Sequence, residues 1–242
     1  MSARVVGGIQ PVREALRAGA PLRYIAVNRE RKDPRMRELL AAARTAGVEV
    51  RLEPPSALDR LAAGVHHQGV IAMAEAKPVL ELDALLAQAT RKLLLACDGV
   101  EDPHNLGAML RAACGAGVDG VLLPSRRSAG LTATVERVAA GALEYVAVAR
   151  VGNLVQSFEA CRAAGYWIVG LEAGAPTALW DHDLRPPTVL VIGGEGRGLH
   201  ELTRKRCDAL VSIPLAAGVE SLNAGVAAGV ALFEAARQRS RA

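Results

Sequence analysis

The chain has 242 residues, 51% of them hydrophobic, 22% charged and only 3% aromatic, with a formal charge of +4. That length allows one large domain or two modest ones with a sizeable core, packed mainly by Ala, Val, Leu and Gly. The mildly basic balance permits a polyanionic partner without requiring one. Cys97, Cys114, Cys161 and Cys207 are widely spaced without a C-x-x-C pair, and the histidines show no ligand spacing. Reduced thiols and no metal are therefore expected. No apolar run reaches the ~20 residues of a membrane span and the N-terminus lacks a signal-peptide core, so a cytoplasmic protein is expected.

The first 76 residues alternate helix and strand on a small scale. Pro11 opens a helix to Ala18 that Gly19 stops, and Tyr24 to Val27 is a short strand. Asp33 caps and Pro34 starts a helix to Ala46, ended by Gly47. Val48 to Leu52 is a strand, and Ser56 with Asp59 forms a capping box for a helix to Ala63. The polar turn His66-His67-Gln68 precedes a strand over Gly69 to Ala74. Basic residues are densest at Arg29, Arg31, Lys32, Arg35 and Arg37, which reads either as a solvated face or as a phosphate-contacting surface.

Lys77-Pro78 breaks the pattern, and Glu81 to Ala89 is a linking helix within residues 77–91. A larger α/β unit occupies 92–242. Its strands are expected at Leu93–Asp98, Gly120–Leu123, Tyr145–Ala149, Trp167–Leu171, Val189–Gly193 and Ala209–Ile213. Its helices are expected at Asn105–Ala116, Thr132–Ala140, Asn153–Ala164, Leu199–Arg206 and Ser221–Arg239. Strands separated by helices predict a mostly parallel sheet covered on both faces.

Chemistry concentrates where this unit's buried strands end. The run Val189 to Ile192 leads at once into Gly193, Gly194, Gly196 and Gly198, interrupted by Glu195 and Arg197. The strand Ala209 to Ile213 is stopped by Pro214, and the loop Leu215 to Glu220 delivers Ser221, Leu222 and Asn223 onto the last helix. Two glycine loops at adjacent strand ends are where an open α/β sheet holds a ligand. A small-molecule pocket is expected there, with Glu195, Ser221 and Asn223 on its rim. No G-K-[ST] follows the glycines and the dinucleotide fingerprint is absent, which disfavours a nucleoside triphosphate or a dinucleotide.

The stretch Asp98 to Arg111 also leaves a buried strand, with Asn105 as a candidate N-cap. Leu106, Met109, Leu110 and Ala113 form the helix's buried stripe, and Arg111 lies about 140° around from Leu106, free to reach the strand ends. On the last helix, Gly225 and Gly229 each cost about 1 kcal/mol relative to Ala, which argues for a tight helix–helix contact, within the chain or across a dimer, over close approach of a ligand. The stripe Leu222, Val226, Phe233 and Ala236 is expected in the core. Arg204-Lys205-Arg206 and the tail Arg237, Arg239 and Arg241 read as solvated helix ends.

Three ordered segments resemble the SPOUT class of RNA methyltransferases, in its TrmH/SpoU branch of ribose 2′-O-methyltransferases. They are N-L-G-A-M-L-R at Asn105–Arg111, I-G-G-E-G-R-G-L at Ile192–Leu199 and I-P-L-x5-S-L-N at Ile213–Asn223. Residues 1–76 are similar to the L30e-type RNA-binding domain preceding the catalytic domain of bacterial 23S rRNA guanosine-2′-O-methyltransferases, with V-H-H-Q-G-V at 65–70 and R-Q-R at 237–239 as further matches.

The resemblance implies S-adenosylmethionine as cofactor, held by Gly193, Ile213 and Leu222 with Gly194, Gly198 and Leu215 shaping the pocket. It also implies a homodimer and a C-terminal trefoil knot, which short unthreaded connections would not suggest. Arg111 would grip a phosphate and stabilise oxyanion charge, with Asn105 positioning it or the ribose. Glu195 would hold the loop and the nucleotide, while Ser221 and Asn223 orient substrate and cofactor. Ala224-Gly225 stands where the family pattern has Val-Ser, so position 225 carries no catalytic group. The expected reaction is 2′-O-methylation of a guanosine in the peptidyl-transferase P loop of 23S rRNA, free or in a large-subunit assembly intermediate. The rivals are a tRNA or other rRNA-nucleotide 2′-O-methyltransferase, and a non-catalytic RNA-binding assembly protein.

Overall fold

The computed structural model describes residues 3–31, 33–62, 64–75, 79–216 and 218–240; Lys32, Ala63, Lys77, Pro78 and Arg241 lie outside them. Two compact units divide the chain, one of Met1–Pro78 with Ala140–Tyr145 and one of Val79–Ala139 with Val146–Ala242.

The first unit runs β1 (Ala3–Gly7), α1 (Ile9–Arg17), β2 (Leu22–Asn28), α2 (Pro34–Thr45), β3 (Val50–Glu53), α3 (Pro55–Ala62) and β4 (Val70–Glu75). The sheet order is β1-β4-β2-β3, with β4 antiparallel to both neighbours and β2 parallel to β3. Val12, Ile25, Met36, Leu39, Val70 and Ala72 form the core on one face, and Ala26, Leu58 and Ile71 on the other. Asp33 caps α2 as its position predicts, accepting from the Met36 N–H at 3.2 Å.

Several expectations shift here. Strand β1 was not anticipated, and α1 begins at Ile9, two residues before Pro11, because Gly8 at φ +100° turns the chain into the helix. Helix α3 begins at Pro55, so Ser56 is no cap; Asp59 instead meets the His67 Nε2 at 3.0 Å. Arg29, Arg35 and Arg37 are exposed, whereas Arg31 pairs with Asp33 at 2.6 Å.

The second unit contains α4 (Leu82–Gln88), β5 (Leu93–Asp98), α5 (Pro103–Ala116), β6 (Gly120–Pro124), α6 (Ala133–Ala139), β7 (Ala147–Val151), α7 (Leu154–Ala163), β8 (Trp167–Leu171), β9 (Thr177–Ala178), β10 (Thr188–Gly193), α8 (Glu201–Lys205), β11 (Ala209–Ser212) and α9 (Ala224–Arg239). Its seven strands are all parallel, in the order β7-β6-β5-β10-β8-β11-β9. Strands β5 and β10 are buried at every position, as strands covered on both faces must be. Leu94, Ala96, Val189 and Val191 pack with Leu85 of α4 and Phe158 of α7. The alternate residues, Leu93, Leu95 and Cys97, are equally buried on the face that carries α5, α6 and α9.

Residue Tyr145 does not begin β7; it ends a 3₁₀ turn over Ala142–Glu144 and its hydroxyl reaches the Glu14 carboxylate at 3.3 Å. Helix α9 starts at Ala224 rather than Ser221. Its buried stripe is Ala224, Ala228, Ala231, Leu232 and Ala235, while Val226 and Phe233 are each 53% exposed. Of the expected core stripe, Val226 and Phe233 therefore fall outside the core and Leu222 and Ala236 are half-buried, because small residues are what the close α5–α9 packing admits. A Cβ at Gly225 would sit 2.9 Å from the Ala108 Cβ, so this glycine answers to α5 of the same chain. Arg239 is not a solvated helix end: its guanidinium donates to the carbonyls of Leu184 (2.8 Å), Arg91 (2.6 Å) and Pro186 (2.5 Å).

Candidate active site

The sheet's strand order makes the site. From β5 the chain steps outward through β6 and β7, then crosses to β8 and returns to place β10 between β5 and β8. Crevices open at such a switch point, beyond the carboxyl ends of the strands. At its last rung Asp98 of β5 pairs with Gly193 of β10, and the Gly194 N–H donates to the Asp98 carbonyl at 2.9 Å. The glycine turns after β10 and β11 are not at neighbouring strand ends, since β8 lies between those two strands. The end of β8 therefore adds Leu171, Glu172 and Ala173 to the pocket wall.

Glycine is required in the first turn for room as well as conformation. A Cβ on Gly193 would lie 2.1 Å from the Gly198 carbonyl carbon, and one on Gly194 2.2 Å from the Gly99 oxygen. Gly196 and Gly198 adopt φ +78° and +64°, the left-handed region that other residues resist.

Two cavities meet at this turn. One of about 560 Å³ is lined by Gly193, Gly194, Gly198, Ile213, Leu215 and Leu222, all of the expected cofactor positions, together with Glu195, Ser221 and Asn223. The other, about 600 Å³, is lined by Asp98, Glu101, Asn105, Arg127 and His200 and shares Gly194, Glu195, Arg197 and Gly198 with the first.

Asn223 joins the three motifs at the shared wall. Its Oδ1 caps α9, accepting from Gly225 N–H (3.0 Å) and Val226 N–H (3.2 Å). Its Nδ2 donates to Asn105 Oδ1 at 2.8 Å and to Glu195 Oε1 at 2.6 Å. One amide thus fixes a helix start, a buried asparagine and the glycine turn's carboxylate. Asn105 is no N-cap: Asp102 takes that place, accepting from the His104 N–H (3.0 Å) and Asn105 N–H (3.4 Å), which frees the Asn105 side chain for Asn223. Ser221 is exposed in the loop before α9.

Arg111 is exposed on α5 and is not among the lining residues of either cavity. Sequence reasoning missed the Asp98–His200 pair, in which the buried carboxylate receives the His200 N–H at 2.8 Å and meets its Nδ1 at 2.8 Å. The ring lies over Gly99, whose Cβ would come within 2.5 Å of it, a contact with no sequence signature beyond a glycine after a strand. Arg127, at φ +54°, was also missed; backbone strain of that kind is invisible in composition. Burial pushes the Cys97 thiol, beside Asp98, up to about 12, which makes it no candidate nucleophile. Among the described residues no group of His, Cys, Asp and Glu could hold a metal ion, and no helix is long and apolar enough to cross a membrane.

The comparisons with known proteins agree on one lineage. The SpoU rRNA methylase family model matches residues 92–233, and a model described as RNA 2′-O ribose methyltransferase substrate binding matches residues 5–80. The 23S rRNA (guanosine-2′-O-)-methyltransferase RlmB of Shewanella oneidensis is 42% identical over 240 residues, 97% of each chain. That of Ralstonia nicotianae is 47% identical over 219 residues, covering 90% of this chain and 87% of its own. Among solved structures, the SpoU methyltransferase AviRb from Streptomyces viridochromogenes in complex with the cofactor AdoMet matches with a TM-score of 0.81 at 31% identity, over 98% of this chain and 91% of that one. The fold is thus that of the SpoU/TrmH methyltransferases, and the protein belongs to the SpoU rRNA methylase family.

Proposed function

We propose that this protein transfers a methyl group from S-adenosylmethionine to the ribose 2′-hydroxyl of a guanosine in 23S rRNA, the reaction named for its RlmB relatives. The observation that carries the reading is the Asn223 amide, which ties Asn105 and Glu195 together where the two cavities meet. The more apolar cavity suits the cofactor: Gly193, Ile213 and Leu222 line it, and a Cβ at 193 or 194 would run into the Gly198 or Gly99 backbone and displace the turn. Bound there, the sulfonium supplies an electrophilic methyl group.

A ribose 2′-hydroxyl is a weak nucleophile near neutral pH, so the protein's task is alignment and charge stabilisation. Asn105 offers its Nδ2, which has no partner among the described residues, to a ribose or phosphate oxygen. Glu195, its Oε1 engaged by Asn223, keeps Oε2 for a nucleotide donor. Ser221 faces the cofactor from the rim. Arg111 is too basic to act as an ordinary base, so it grips the adjoining phosphate and stabilises the oxyanion while the proton passes to phosphate or water.

Arg111 lines neither cavity of its own chain, which favours its delivery by a second copy. The exposed Val226 and Phe233 on α9, the helix packed beside α5, suit a homodimer interface. Mixing Arg111→Ala with Asn223→Ala protein tests this: exchange of subunits restores activity if Arg111 serves the partner's site, and no recovery would refute it. The C-terminal trefoil knot expected of the fold belongs to the same proposal. The first unit binds the RNA, with exposed Arg29, Arg35 and Arg37 as phosphate contacts. The guanosine proposed as target is one in the peptidyl-transferase P loop. Mapping 2′-O-methyl positions in rRNA from cells with and without the protein tests that placement; loss of a mark elsewhere in rRNA, or in tRNA, would replace it.

A further inference from the structure

One wall of the cofactor cavity carries a buried carboxylate oxygen to which no described residue donates. Glu172 directly follows β8, and its backbone is held by two hydrogen bonds, from its N–H to Val211 at 2.9 Å and to its carbonyl from Ala175 at 3.3 Å. Its side chain lines the cavity beside the glycine turn: a Cβ placed on Gly198 would lie 3.7 Å from Glu172 Oε2. That oxygen is buried, yet no described residue donates to it. A buried acceptor without a donor is costly, more so when it carries charge, and native proteins keep few of them. Such a group is retained where a ligand completes it.

The position in the sheet narrows the ligand group. Strand β8 is the neighbour of β10, which carries the glycine turn. In dinucleotide-binding parallel sheets an acidic side chain near the glycine turn takes a ribose hydroxyl, and Glu172 at the adjoining strand end offers the same group to a 2′,3′-diol, which presents two donors at carboxylate spacing. We infer that Glu172 binds the cofactor's ribose by accepting hydrogen bonds from its 2′,3′-diol. This rests on S-adenosylmethionine being the ligand of the cavity. In the free protein the same carboxylate lowers stability, so Glu172 trades stability for affinity.

Calorimetric titration of the full chain and of Glu172→Gln and Glu172→Ala tests it, with S-adenosylmethionine and, separately, 5′-methylthioadenosine, which keeps the ribose but lacks the amino acid. Glu172→Ala is expected to weaken both ligands by the same factor, roughly 10- to 100-fold. The ligand-free Glu172→Gln protein is expected to melt about 2–4 °C higher than the wild type. Unchanged affinities would overturn the inference, as would a loss confined to S-adenosylmethionine, which would assign the carboxylate to the ammonium group. A lower melting temperature with affinity retained would make Glu172 merely structural. Failure of the wild type to bind would overturn the cofactor assignment, and this inference with it.

Discussion

The two cavities that meet at Glu195 are made from different parts of the chain. The cofactor side is walled largely by glycine backbone and aliphatic side chains, with Glu172 among them, whereas the nucleotide side is walled by Asp98, Glu101, Arg127 and His200. Recognition by backbone tolerates almost no change, because any added atom lands on another main chain. Recognition by side chains can be weakened in steps. The same reaction is thus served by a rigid half and an adjustable half.

The sharpest break of that comparison is Gly194→Ala. With Gly99 O only 2.2 Å from the new Cβ, two backbones must part, and S-adenosylmethionine binding should fall by roughly 10³-fold or more as measured by calorimetry. Retained binding would mean that the turn is not the cofactor's wall. Arg111→Ala comes next. Methyl transfer into rRNA should drop by about 10³-fold with cofactor affinity unchanged, since a charge-stabilising group acts on the reaction and not on the donor. A matching loss of cofactor binding would remove Arg111 from its role.

Asn223 belongs to both halves, and two substitutions separate them. Asn223→Ala removes the α9 cap and should lower stability by about 1–2 kcal/mol while cutting turnover about 100-fold. Asn223→Asp keeps the capping oxygen but faces Asn105 Oδ1 and Glu195 Oε1 with another acceptor. Denaturant unfolding should show the stability largely restored and a methyl-transfer assay should show activity still lost. Recovery of both would reduce Asn223 to a helix cap. Smaller still is the response of the first unit: rRNA affinity should fall steeply with salt, and Arg35→Ala should lower the logarithmic slope by about one.

Much of the architecture was legible because the buried strands are written as continuous apolar runs. Val189 to Ile192 and Leu93 to Cys97 read directly as central strands, and Asp33, Asn153 and Gly117 punctuate helices by ordinary capping rules. The edges were not legible: β1 and the two-residue β9 exist only because a neighbour pairs with them. The α9 stripe was misread because residue size, not hydropathy, decides which face enters a close helix crossing; Ala is chosen over Phe and Val there. At the site, the residues carrying motifs were found, but Asp98, Arg127, Glu172 and His200 were not. Asp98 and His200 owe their places to each other across 102 residues of chain and Glu172 is held by Val211, while Arg127 is set by local backbone strain. Strand order also lay beyond the sequence, and with it the insertion of β8 between the two glycine-bearing strands.

The smallest effect lies beneath the side-chain half, at Cys97. Burial, with the neighbouring Asp98 charge adding to it, raises this thiol from 9.0 to about 12. Below pH 9 both folded and unfolded chains keep the proton and stability does not respond. Between pH 9 and 12 the unfolded chain loses it while the folded chain holds it, so stability falls as pH rises, by up to about 1.4 kcal/mol per pH unit for this one group. Cys97→Ala removes that contribution. Its unfolding midpoint in denaturant should lie below the wild type's at pH 8, where a packing loss of about 1 kcal/mol is all that separates them. The gap should close or reverse by pH 11. Cys207, raised to about 12, and Cys161, raised to about 11, titrate in both proteins and leave the difference untouched. A gap constant from pH 8 to 11 would mean that water reaches Cys97, one rung before the end of β5, and that the sheet beneath Asp98 is wet.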